Sequence, residues 1–409
     1  MEELNYSIKN HFFINQKTAG GKNVRGFYFL SLKDKTEVET ALQLIAFNIP
    51  FPADYGGVID IFYKLKALSE VGISINLHCF EYNRPQTVAL EKYCAKVSYY
   101  PRHKGVRWQF STKPYIAVTR HNDQLIKNIS GNNSPILFEG LHSCYYLDHP
   151  ALKNHLKMVR THNIEHEYYH NLYRAENNLF RKIFFSVEAA KLRVYEKILK
   201  NADHLLCISP NDNRYFDHKF GNSHFIPAFH PFDAISSKSG VGKYVLFHGN
   251  LSVAENSQAV DFLAGKVFGK LNIPVVVAGK NPSEKLTRKL TLLPNVRLII
   301  NPENEEMDRI IRDAHICILP TFQDTGLKLK LLASLFSGRF CVANDLMVAK
   351  TGLEHLCHIA NSPEEMIETI NELATKEFDL EETEKRSLIL EDTFSNHLNA
   401  LKIKQLISK

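Results

Sequence analysis

Ile316-Cys317-Ile318-Leu319-Pro320-Thr321-Phe322-Gln323-Asp324-Thr325-Gly326-Leu327-Lys328-Leu329-Lys330-Leu331-Leu332-Ala333-Ser334-Leu335-Phe336-Ser337-Gly338 is the stretch on which the fold turns. Its first four residues are apolar throughout, as in a strand buried on both faces of a parallel sheet. A loop follows, ends at Gly326, and gives way to a helix-like apolar pattern. A helix opened by glycine at the carboxyl end of a parallel strand presents free backbone N–H groups and the positive end of its dipole. Such a terminus suits a phosphate or diphosphate. Lys328 and Lys330 add positive charge. The competing reading is an ordinary βα turn with two solvated lysines.

A second turn of this kind lies far upstream. Residues 42–47 have a strand pattern, 48–57 a loop pattern and 58–70 a helix pattern, and the loop ends on Gly56-Gly57. Adjacent glycines let backbone approach a ligand closely. One such turn in each half of the chain predicts a ligand held between two domains.

Strand-like and helix-like segments alternate along the chain, which predicts an α/β protein with parallel sheets. In the first half further strands are expected at 73–79, 115–119, 136–139, 158–161, 204–208 and 224–226. In the second half they are expected at 244–248, 275–279, 296–299, 316–319, 341–343 and 357–360. The expected domains are 41–228 and 244–380. The linker, 229–243, holds Pro231, Ser236, Ser237, Gly240 and Gly242 without apolar periodicity. Residues 1–40 read as an appendage, 178–200 as a long amphipathic helix, and 381–409 as helices that cross back onto the first domain.

The 409 residues suffice for two domains, and 44% hydrophobic with 23% charged residues is ordinary for a globular chain. No apolar run reaches the length of a membrane span, and the first residues lack the apolar core of a secretory signal. Seven scattered cysteines without a CxxC pair suggest reduced, buried thiols and a cytoplasmic protein. The net charge of +6 suits an anionic ligand, or peripheral contact with the inner face of an anionic membrane. It is too diffuse for nucleic acid, and no nucleic-acid-binding motif is present.

Several further segments carry a family resemblance. They are Arg160-Thr161-His162-Asn163-Ile164-Glu165, Glu188 through Tyr195-Glu196, and Ile208-Ser209-Pro210-Asn211-Asp212. In the second half they are Phe247-His248-Gly249-Asn250-Leu251 and Val277-Ala278-Gly279-Lys280-Asn281-Pro282. With Gly56-Gly57 and the Gly326 segment, they resemble in order and spacing the retaining GT-B glycosyltransferases of the "group 1" set (family 4). The form is similar to Bacteroidetes mannosyltransferase-like sequences, over residues 41 to 375. The resemblance implies two facing Rossmann-like domains, a nucleoside-diphosphate sugar on the C-terminal one and a saccharide or lipid-linked acceptor on the N-terminal one. It implies Gly56, Gly57, Gly249, Asn250, Gly279, Thr325, Gly326 and Lys330 at the donor, and His162 against the donor sugar. With Lys328 on the diphosphate, no metal or other cofactor is expected.

The sequence departs from that family. Its two glutamates, seven residues apart, fall on Thr325 and Ala333, and the second normally holds the ribose hydroxyls. Its diphosphate-clamping Arg and Lys fall on Asn250 and Glu255. Lys328 and Lys330 look like replacements. Two residues apart, they would diverge on a regular helix, and Lys328 is the one expected in its first turn. Glu165 is read as an N-terminal cap. His166-Glu167-Tyr168-Tyr169-His170 spells the His-Glu-x-x-His zinc pattern but has no evident third ligand. Two alternatives remain: a catalytically silent nucleotide-sugar-binding subunit, and a UDP-sugar epimerase of the same fold.

Overall fold

The structure, a computed structural model, describes residues 40–176, 178–322, 328–349 and 351–408. The expectations for residues 1–39, Thr325 and Gly326 lie outside these residues. Seven strands form the first sheet: β1 (Thr40–Ala46), β2 (Ile73–Glu81), β3 (Lys96–Pro101), β4 (Ile136–Glu139), β5 (Lys157–Thr161), β6 (His204–Cys207) and β7 (Ser223–Phe225). Six form the second: β8 (Val245–Asn250), β9 (Val275–Lys280), β10 (Val296–Ile300), β11 (Ile316–Leu319), β12 (Phe340–Ala343) and β13 (His358–Ile359). Their orders are β3-β2-β1-β4-β5-β6-β7 and β10-β9-β8-β11-β12-β13, with parallel pairing throughout. Each sheet is a doubly wound Rossmann-like array, with its order reversing between β1 and β4 or between β8 and β11. Ligand crevices form at such points, outside the carboxyl ends of the strands.

The apolar runs of β4, β11 and β12 are buried at every residue. That is why they were legible as strands, and why the structure corrects the strand expected at 115–119. That run is a short helix, Tyr115–Val118, entered through Pro114. Ile116, Ala117 and Val118 are buried, and an apolar block this short looks alike in either conformation. The edge position belongs instead to β3, mostly half-exposed and lacking an apolar run. The helix expected over 178–200 runs from Leu179 to Tyr195 and tightens into a 3-10 turn through Asn201.

The two halves are tied twice. The helix Leu380–Thr393 packs on the second half, where Leu390 joins Leu331 and Leu335. The following helix, Asn396–Ile407, enters the first core, with Ala400, Ile403 and Leu406 beside Leu65 and Leu68. At the crossing, the Asn396 side chain donates to the His230 carbonyl at 2.7 Å and accepts from the His230 N–H at 3.1 Å. His230 lies between the sheets, so the outgoing and returning segments are hydrogen-bonded to each other.

Candidate functional site

On the N-terminal side, the site is built on an enclosed set of charges at the carboxyl ends of β4 and β5. The helix Gly56–Glu70 contributes Asp60 and Lys64, β4 contributes Glu139 and β5 contributes Arg160. All four side chains are fully buried. Arg160 grips Asp60 through two bonds of 3.1 and 2.9 Å. Lys64 bridges Asp60 at 2.9 Å and Glu139 at 2.8 Å. Burial alone would raise the Asp60 carboxyl, but Arg160 and Lys64 outweigh it and hold it well below the usual carboxylate range. The Phe229 N–H also donates to Asp60 at 2.8 Å.

His162 hangs from this network. Its Nε2 lies 3.1 Å from Glu139 Oε2. An ionised carboxylate can only accept, so Nε2 carries the hydrogen and Nδ1 remains for another partner. The Phe47 ring stands edge-on to His162, with centroids 5.6 Å apart, and tilted to His142 at 5.1 Å. Gly57 makes room for that ring, since a Cβ there would stand 2.8 Å from its tip. Gly56 is the first residue of the helix.

Glu165 is not the cap that the sequence suggested. The helix Glu165–Ala175 begins at Glu165 itself and has no side-chain cap bond. The Glu165 carboxyl is instead buried, 3.9 Å from His142 Nδ1. Burial, reinforced by Asp212, pushes it up to about 8. Burial and Arg120 hold His142 well below its usual value. Both shifts favour the uncharged forms.

On the C-terminal side, Gly249 and Gly279 meet where β8 and β9 end. A Cβ on Gly279 would fall 1.9 Å from the Gly249 carbonyl oxygen, and Gly249 itself has φ of +148°. Both glycines are therefore required by backbone packing. The Asn250 side chain accepts from the Ser252 N–H and hydroxyl at 3.0 and 2.7 Å. Ala333, at the position of a family glutamate, packs in an apolar cluster with Leu246 and Ala278.

The lysines differ from their expected arrangement. The described helix begins at Leu329, and Lys328 precedes it as the N-cap with φ −88° and ψ 50°. Lys328 is thus outside the first turn, and the divergence expected of helical neighbours does not apply. The two converge on the first turn of the helix Ala254–Lys266. Lys328 Nζ lies 3.8 Å from Glu255, and Lys330 Nζ donates to Asn256 at 2.7 Å. Glu255 also accepts from the Thr321 hydroxyl. Burial pushes the Lys330 amine down to about 8, with Glu255 opposing the shift and Lys328 adding to it.

A solvent-open cleft of roughly 850 Å³ lies between the halves. Its N-terminal wall includes His162, Asn163, Tyr168 and Asp212, and its C-terminal wall Lys328, Leu332 and Thr351. The structure therefore brings His162 and Lys328 to one cavity, although 166 positions apart in sequence. Gly56, Gly57, Gly249, Asn250, Gly279 and Lys330 are not among the residues that line it. His166 is bonded to Glu196 at 3.1 Å and His170 stacks on Tyr173, so the His-Glu-x-x-His pair faces structural partners. The described residues do hold one group with metal-ligand spacing, Asp60, Glu139 and His162. Lys64 and Arg160 already neutralise its carboxylates. Asp60, Lys64 and Glu139 were missed from sequence. The one available signal was the Asp60–Lys64 spacing of four residues within the apolar stretch of the helix Gly56–Glu70.

Comparison with known proteins agrees with this architecture. Residues 242–376 match the model of the family Glycosyl transferases group 1. A relative from Klebsiella pneumoniae, described as an uncharacterized 44.6 kDa protein in cps region, is 27% identical over 330 residues. The match covers 76% of this chain and 84% of the relative. The crystal structure of TarM superposes with a TM-score of 0.61 at 12% identity, over 90% of this chain and 99% of TarM. The apo form of the lipopolysaccharide outer core galactosyltransferase WaaB gives 0.58 at 12%, over 89% and 99%. The chain has the GT-B fold, and fold and family match together support glycosyltransferase activity.

Proposed function

We propose that this chain moves a hexose, with retention of anomeric configuration, from a nucleoside-diphosphate sugar to a saccharide or lipid-linked acceptor in surface polysaccharide or glycoconjugate synthesis. The observation that carries the reading is the cleft with Lys328 on one wall and Glu139-held His162 on the other. The group 1 match lies on the half expected to hold the donor. The relative from a cps region supports a polysaccharide context.

In this reading the bond from the anomeric carbon to the diphosphate breaks while a bond to the acceptor oxygen forms on the same face. The acceptor proton passes to the leaving diphosphate. Lys328 stabilises the negative charge developing there, and the cleft holds both reactants together. His162, fixed by Glu139, contacts the donor sugar. No metal or other cofactor takes part. The donor enters from the cytoplasmic side. Exposed Leu179, Phe180, Ile183 and Val187, flanked by Arg181 on one helix, support peripheral contact with an anionic membrane.

One observation favours a second reading, a nucleotide-sugar-binding subunit without turnover. Ala333 offers the ribose no carboxylate. Thermal-shift screening with UDP, GDP and their sugars, followed by transfer assays, separates the two, since ligands of the native state raise its melting temperature. Nucleotide stabilisation with sugar transfer supports the transferase. Stabilisation without transfer to any acceptor pool supports the silent subunit, and an altered sugar without acceptor points to the epimerase. No shift with any nucleotide would sink all three.

A further inference from the structure

Beside the cleft, the N-terminal half holds two arginines that meet no carboxylate within ion-pair distance among the described residues. Arg120 is 3% exposed. Its Nε donates to the Phe47 carbonyl at 2.9 Å and its Nη1 to the Ile116 carbonyl at 2.5 Å. Its Nη2 has no hydrogen-bond partner among the described residues. Arg102 donates from Nε to the Thr119 hydroxyl at 3.1 Å, and its guanidinium lies 4.1 Å from the Tyr82 ring centre and 5.6 Å from that of Tyr115. Burial and the charge of Arg102 push Arg120 down to about 9. The other deeply buried arginines are satisfied differently: Arg160 by Asp60, Arg386 by the carbonyls of Leu335, Gly338 and Arg339. Burial pushes the nearby Glu165 carboxyl up to about 8, which weakens the negative charge it offers Arg120 at neutral pH.

A buried guanidinium with an incomplete hydrogen-bond fork, next to a second cation, is costly unless an anion completes it. The place is also suggestive. Arg120 holds the Phe47 carbonyl, and the Phe47 ring touches His142 and His162. Tyr82, 39% exposed, offers a flat wall with a hydroxyl.

We propose that Arg102 and Arg120 form an anion subsite on the acceptor side, so that the acceptor carries a carboxylate or phosphate close to its reacting hydroxyl. The inference rests on the transferase reading and narrows its acceptor to an acidic one. The shared chemistry is a planar or tetrahedral oxyanion matched to a guanidinium fork. An acidic sugar and a carrier phosphate both supply it.

The test is calorimetric binding to the full chain with UDP or GDP saturating the donor side. The probes are methyl glucuronide, methyl glucoside and methyl phosphate, each against wild type, Arg102→Gln and Arg120→Gln. One of the two anions is expected to bind at least about tenfold more tightly than the glucoside, the scale of a lost charged hydrogen bond. Both variants should abolish that preference while nucleotide affinity changes less than about twofold. Preference for the glucuronide identifies an acidic sugar, and preference for methyl phosphate a carrier phosphate. Arg120→Gln loses two backbone bonds and is read only if it melts cooperatively. Arg102→Gln loses the Thr119 bond and the contacts with Tyr82 and Tyr115, but no backbone bond, and carries the test alone. Equal binding of all three probes to wild type, or a preference that survives Arg102→Gln, overturns the subsite. Anion preference without any nucleotide binding would instead overturn the transferase reading and leave the subsite standing.

Discussion

The carboxyl ends of the two sheets handle charge in opposite ways. Beneath the N-terminal wall, Asp60, Lys64, Glu139 and Arg160 are fully enclosed, and each finds an opposite charge among the others. At the C-terminal wall, Lys328 lines the cleft 3.8 Å from Glu255, and the Lys330 amine, bonded to Asn256 at 2.7 Å, is pushed down by its surroundings. An enclosed and balanced set cannot bind a charged ligand, but it locks geometry, here the orientation of His162. Lys328, lining the cleft, puts positive charge where a ligand reaches it. The N-terminal half thus supplies position and the C-terminal half supplies field.

The largest test of that contrast is Asp60→Ala. It strands Arg160 in the core without a carboxylate, leaves Lys64 with Glu139 alone, and should cost about 3–5 kcal/mol of stability, read by urea unfolding. Because the folded carboxyl titrates below its unfolded value, the contribution is complete above about pH 4 and is lost as pH falls below that. A loss below about 1 kcal/mol would mean the network does not hold the fold, and the contrast would break.

Glu165→Gln comes next. The wild-type carboxyl holds its proton to about 8 when folded and to about 4.3 when unfolded. The unfolded state therefore binds fewer protons between these values, and wild-type stability falls as pH rises through that window. The neutral amide removes this term. Relative to wild type, the variant should gain up to about 1.4 kcal/mol per pH unit between pH 5 and 8, visible as diverging melting temperatures. Parallel melting curves would show that Glu165 is ionised in the fold.

Lys328→Ala should lower turnover by at least about tenfold, about 1.4 kcal/mol of transition-state stabilisation, with the melting temperature nearly unchanged. An unaltered rate at saturating donor would move the field to Lys330. The smallest effect is at Lys330 itself. In wild type, nucleotide affinity should weaken by roughly twofold to fivefold as pH rises through about 8, where its amine loses its charge. Lys330→Met should flatten that profile, and a slope that persists belongs to another group.

Legibility followed chemistry. Buried central strands such as β4 and β11 showed as apolar runs, while the edge strand β3 did not, because five of its six residues meet solvent. The motif Arg160–Glu165 was found, but its roles were only partly readable. Arg160 is bonded to a residue 100 positions away, and Glu165 is buried beside His142 instead of capping its helix. Arg102 and Arg120 gave no signal, since an arginine without a partner looks like any other in a sequence.

What the sequence determined by itself was local: the alternation of apolar strands and helices, hence two parallel sheets, and the glycine turns Gly56-Gly57, Gly249 and Gly279. At Gly249 and Gly279 the demand comes from the backbone, a positive φ at the first and a carbonyl 1.9 Å from a Cβ at the second. Only the tertiary structure decided which charges are spent and which remain. Lys328 and His162 reach one cleft because two sheets face each other, and Asp60 is silenced because Arg160 and Lys64 arrive from other elements. Electrostatic energy depends on distance and burial, and neither is written along the chain.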